Sequence, residues 1–134
     1  MSIGEASARA ATLLADGRVF ECREAQGDEA ALVMLPPELQ RVFRRYHSIV
    51  PVIDPDVAIS REAMGPSELR NGFIRVGWVA GGESGGELAV HPPEETIYLL
   101  YPDEPIDATF GTYGSVYHWI VAVASAAEPD ANSE

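Results

Sequence analysis

The chain has 134 residues, 46% of them hydrophobic, one cysteine, and a formal net charge of −12 at pH 7. That length suits one domain, that apolar content excludes a disordered chain, and the longest apolar run, "WIVAVASAA" from Trp119 to Ala127, is too short for a membrane span. All nine arginines lie within residues 1–75, while residues 76–134 hold ten acidic side chains and no basic one, which disfavours nucleic acid or an anionic membrane as partner of the C-terminal half.

The opening "MSIGEASARAATLLADG" lacks the basic start and compact apolar block of a signal peptide. In "EASARAATLLA", Ala6, Ala10, Leu13 and Leu14 share one helical face. Asp16-Gly17 is a hairpin signal, and "RVFEC" alternates like a strand. A helix followed by a short extended piece is expected. Cys22, being alone, excludes an intramolecular disulfide and a cysteine zinc site, which fits a reducing cytoplasm.

Asp28 can cap a helical turn through "EAALVM". Leu35-Pro36-Pro37 opens a second helix, "ELQRVFRRYH", because proline is tolerated in a first turn. Leu39, Val42, Phe43 and Tyr46 form its apolar stripe, with Arg41, Arg44 and Arg45 mostly opposite. Pro51 and Pro55 mark a loop that includes "VAISREAM" as a strand or turn.

From Gly72 the period changes to two. In "FIRVGWV", Ile74, Val76 and Trp78 fall on one face, and Phe73, Arg75 and Gly77 on the other. A glycine loop, "ELAVH", a Pro92-Pro93 turn and "TIYLLY" follow, giving a three-stranded meander. Thr112 or Ser115 caps a closing helix, on which Val116, Trp119, Ile120 and Val123 line up. The expected fold is α+β: a small antiparallel sheet with helices packed on one side, Trp78 meeting Trp119 in the core. It is one domain over residues 1–127, followed by a disordered acidic tail at 128–134.

The segment "GGESGG", Gly81 to Gly86, matches the G-x-S-x-G pattern of a serine-hydrolase elbow. That elbow needs a helix directly after Ser84, and "GGELAVHPP" is a poor one. Of the available bases, His91 sits seven residues away in the next strand, and His118 on the last helix has no evident acid partner. No lysine exists for a phosphate-binding G-x-x-x-x-G-K-[ST] loop, and the glycines do not form G-x-G-x-x-G. His47, His91 and His118 lack metal-ligand spacing. Glu94-Glu95 and Asp103-Glu104 sit in turn sequence and read as solvated carboxylates; Arg41, Arg44 and Arg45 read as a charged helix face. No catalytic residue, metal or cofactor is assigned.

The order of the pieces carries a resemblance. "LPPELQRVF", "GFIRVG", "GGELAV", "IYLL" and "SVYHWI" in succession resemble the SUKH superfamily of fungal cell-wall-synthesis regulators and bacterial toxin-immunity proteins. The matching positions are Leu35-Pro36, then Phe73, Ile74, Val76 and Gly77, then Gly85, Gly86, Leu88 and Val90, then Ile97 and Tyr98, then Ser115 and Trp119. The chain departs from the pattern at "YHSI", where Asn-Gly is usual, and at "PEET", where a glycine is usual. The resemblance implies a cytoplasmic partner-binding protein with no catalytic residues. The expectation is an immunity protein that neutralises a basic, nuclease-like toxin domain through Glu83, Glu87, Glu94, Glu95, Asp103, Glu104 and Asp107. The alternatives are a regulatory interaction module with a non-toxin partner, and a small hydrolase using Ser84.

Overall fold

A computed structural model describes residues 2–25, 30–53, 56–79, 86–101 and 112–127. Helix α1 (Ile3–Leu14) begins where Ser2 and Glu5 form a reciprocal capping box, each satisfying a backbone N–H of the other. The strand expected from "RVFEC" is β1 (Phe20–Glu24). "AALVM" forms a 3₁₀ turn over Ala30–Met34; its expected cap, Asp28, lies outside the described residues. Helix α2 (Pro37–Arg45) starts at the second proline and buries Leu39, Val42 and Phe43.

Tyr46 departs from the expected stripe. It takes extended backbone angles and starts β2 (Tyr46–Pro51), a strand that replaces the last two residues of the expected helix and runs to the first proline of the expected loop. Pairing supplies the reason: β2 lies antiparallel to β1, and the Arg45 carbonyl already accepts from Ala25 N–H at 3.1 Å. A ladder partner outweighs one more turn of helix.

The remaining elements are β3 (Val57–Ser60), a 3₁₀ turn (Arg61–Ala63), β4 (Gly65–Pro66), β5 (Ile74–Val79), β6 (Gly86–Val90), β7 (Ile97–Leu100), β8 (Thr112–Tyr113) and α3 (Val116–Ala127). A turn with a cis Pro92-Pro93 bond joins β6 to β7. Ser115, rather than Thr112, caps α3: its Oγ accepts from His118 N–H at 3.3 Å. The expected meander is the middle of a wider, fully antiparallel sheet ordered β1-β2-β3-β5-β6-β7-β8, with β4 also on β5. The architecture is α+β. Among the described residues, no helix is long and apolar enough to cross a membrane.

A bulge in β5 overturns the expected facing of its side chains. Arg75 lies opposite Ala89 and Gly77 opposite Leu88, so Val76 is an extra residue. Val76 and Val79 therefore both join the core, and Trp78 turns to the other face, half-buried. Gly77 fits because any Cβ there would collide with the Ala58 carbonyl oxygen.

All three helices cover one face of the sheet. Ala6, Ala10 and Leu14 from α1, the α2 stripe, and Val116, Trp119, Ile120 and Ala124 from α3 pack on Phe20, Ile49, Ile59, Val76, Leu88, Val90 and Ile97. Trp119, 1% exposed, has Phe20 as its aromatic neighbour at 6.4 Å, not Trp78. Residues 61–73 are tied to the sheet by the pairing of β4 with β5 and by side-chain contacts. Arg75 Nε donates to the Ala63 carbonyl at 2.7 Å, and Phe73 meets the Tyr98 ring edge-on at 5.1 Å.

Candidate partner-binding site

Antiparallel pairing decides which chain segments meet. The register couples Phe20 with Pro51, Val57 with Val79, Val79 with Gly86, and Glu87 with Leu100. Those residues therefore mark one end of the sheet. Val79 and Gly86, which flank residues 80–85, lie there, and so does Tyr101, which precedes residues 102–111. Glu83 belongs to the first of these segments, and Asp103, Glu104 and Asp107 to the second; the four residues themselves lie outside the described ones. Asp56 is exposed at the same end, next to Val57.

Beneath this end, between the sheet and α3, is a cavity of about 520 Å³. Val57, Val79, Leu99, Tyr101, Tyr113 and Trp119 supply most of its wall. Ile53 stands at its margin and is 63% exposed, with the neighbouring Val52 at 50%. Burial pushes the Tyr113 phenol above its ordinary pKa, and the nearby Tyr101 adds to the shift. The wall is thus neutral and largely apolar, with phenol hydroxyls as its polar groups. Such a depression has room for an apolar side chain, and an exposed Val-Ile pair lies beside it.

The other expected partner-binding residues go elsewhere. Glu87 is 7% exposed and engaged internally: Ser67 Oγ donates to it at 2.6 Å, Glu68 N–H at 3.1 Å, and the Arg75 guanidinium lies at 3.8 Å. It anchors residues 67 and 68 to the sheet. Glu94 and Glu95 occupy the β6–β7 turn at the opposite end of the sheet. Glu94 is exposed and accepts from Tyr98 Oη at 2.9 Å, which holds the Tyr98 phenol above its ordinary pKa. Glu95 is half-buried and accepts from Glu38 N–H at 3.0 Å, at the N-terminus of α2. Pro36, the residue before that helix, makes no side-chain cap, so Glu95 fills the role from across the fold.

The remaining candidates are placed as follows. Ser84 lies outside the described residues, and the chain after it enters β6 instead of a helix. Gly86, the last residue of "GGESGG", is packed so closely that a Cβ would collide with the Leu100 carbonyl oxygen. His47 contacts Glu62 at 3.3 Å, the His91 ring lies tilted against Phe73 with 4.8 Å between ring centres, and His118 Nδ1 lies 2.7 Å from Ser115 Oγ. Arg41, Arg44 and Arg45 are exposed along α2; Arg44 donates to Gln40 at 3.2 Å, and Arg45 lies 5.5 Å from the Tyr46 ring centre.

Sequence reasoning missed the cavity. Tyr101 and Tyr113 are 12 positions apart in the chain and meet only through the return of β8 onto β7. The one available signal was Val52-Ile53, two β-branched residues inside a proline-bounded loop. No family model, curated protein or solved structure matches this chain, so the geometry of this sheet end carries the functional reading.

Proposed function

We propose that this chain is a protein-binding module of the immunity type, acting in the cytoplasm to neutralise a basic, nuclease-like toxin domain. The observation that supports it most is the convergence at one sheet end. Two connections that carry four acidic residues and no basic one start from the rim of an apolar cavity with an exposed Val-Ile pair. An apolar centre with a charged surround is how interfaces combine affinity with selectivity. Nuclease domains are basic because they grip phosphates, so an acidic blocker gains steering towards them and complementarity with them. The order of motifs resembling SUKH chains supports the same reading.

The partner to test is the product of the adjacent gene, purified and mixed with this chain. Association is expected to be fast at low salt and to slow steeply as salt rises. Reversing Asp103, Glu104 and Asp107 together should lower the on-rate by about tenfold or more, while Glu62→Lys, at a side chain 66% exposed near the opposite end of the sheet, should leave it unchanged. Salt-independent binding, or an equal loss from Glu62→Lys, removes the acidic end as the binding face. A partner that binds there without being a toxin favours the regulatory reading. Labelling of Ser84 by a fluorophosphonate probe, abolished by Ser84→Ala, favours the hydrolase.

A further inference from the structure

We propose that a second copy of this chain pairs with the outer edge of β1, antiparallel across a two-fold axis through Cys22. β1 is the terminal strand of the sheet, and among the described residues no strand pairs with its outer side. The backbone there is set by the inner ladder. Val52 N–H donates to the Val19 carbonyl and Ala25 N–H to the Arg45 carbonyl, in register with Glu21 opposite Val50 and Arg23 opposite Ser48. The odd-numbered residues thus direct their backbone groups at β2, and Cys22 and Glu24 direct theirs outward. Phe20 N–H is already bonded to the Asp16 carbonyl, which leaves the Phe20 carbonyl as that residue's outward group.

A two-fold at Cys22 uses all of these groups except the Glu24 carbonyl, whose partner on the other copy would be the occupied Phe20 N–H. Cys22 N–H and C=O exchange bonds with their own copies, and each Glu24 N–H meets the partner's Phe20 carbonyl. The same register sets Glu21 of each copy opposite Arg23 of the other, in the pairing where side chains approach most closely. Charged residues on an edge strand ordinarily discourage pairing. Here the two charges are opposite in sign and two positions apart, so a two-fold makes each copy complementary to the other. Glu21, Arg23 and Glu24 are exposed. The existing contact of Arg23 with Glu62, at 3.9 Å between two largely exposed side chains, is weak enough to exchange for it. The Cys22 thiol, 3.9 Å from the Leu14 carbonyl oxygen, points into the protein and forms no link.

Sedimentation equilibrium of the purified chain at physiological salt, with reductant, tests this without any other partner. The expected result is a reversible monomer–dimer equilibrium. Glu21→Arg alone and Arg23→Glu alone should each raise the dimer Kd by about tenfold, since two like-charged couples replace two complementary ones. An equimolar mixture of these two variants should associate as tightly as the unaltered chain, because each supplies the charge the other lacks. Recovery in the mixture also shows that both variants are folded. An unaltered chain that stays monomeric at hundreds of micromolar, single reversals without effect, or a mixture that fails to associate overturns the proposal.

Discussion

Glu95 reads in the sequence as one of two neighbouring turn carboxylates, yet it closes the N-terminus of a helix 57 residues earlier in the chain. Its Oε1 is buried without a hydrogen-bond partner. Burial raises its pKa above the ordinary glutamate value of 4.5; the bond from Glu38 N–H works against this, and the Glu38 charge adds to it. Glu38 is itself tied down by Tyr117 Oη at 2.9 Å, and burial followed by that bond pushes the Tyr117 phenol up to about 12. A folded Glu95 thus binds its proton more tightly than an unfolded one. Its ionisation weakens the fold as pH rises from 4.5 through the raised value, and that loss is recovered on acidification. Glu95→Gln keeps an acceptor for α2 without the charge, so its stability relative to the unaltered chain should improve as pH rises from 4.5 to neutrality. Glu95→Ala should cost about 0.5–2 kcal/mol through the lost cap. Chemical denaturation across that pH range measures both; a Gln-variant difference that does not change with pH refutes the account of Glu95.

At the scale of single elements, β5 shows how one inserted residue reverses a reading. Alternation along "FIRVGWV" points Trp78 inward, and the bulge at Val76 turns it out, because a shift of one residue exchanges the faces of everything after it. The signal was present in Gly77, a glycine inside a strand pattern, which often marks a bulge. The two tryptophans should therefore respond very differently to truncation. Trp119→Ala removes a ring buried among Phe20 and the sheet and should cost about 3–5 kcal/mol. Trp78→Ala, on the half-buried outer face, should cost about 1 kcal/mol. Urea unfolding of the two variants decides it, and equal losses would contradict the bulge.

Over the whole molecule, a net charge of −12 opposes compaction. Surface ion pairs such as Arg23 with Glu62 contribute little against it, and Arg75 with Glu87 is a more buried pair at 3.8 Å. Raising salt from low to physiological shortens the screening length from about 30 to about 8 Å and damps the repulsion more than it weakens those pairs. The midpoint of thermal unfolding should rise by roughly 4 °C, the shift that about 1 kcal/mol produces in a domain of this size. A midpoint that falls with salt would mean that attractive pairs dominate. The same imbalance of charge is what the proposed partner would exploit at the sheet end.

The sequence by itself determined the α+β class and most of the helices and central strands. Their signals are short-range: the apolar spacing of Ala6, Ala10 and Leu14, proline at the start of α2, the Ser115 cap, and the change to period two after Gly72. Tertiary structure alone decided the width of the sheet, since β2 and β8 form only because β1 and β7 offer them a ladder. It also separated the seven acidic residues. Glu87 became an internal anchor, Glu95 a helix cap and Glu94 a surface residue at the opposite end, while Val79, Gly86 and Tyr101 brought the ends of the two other acidic segments together. Burial and pairing depend on which distant residues share a sheet end, and local pattern carries no record of that.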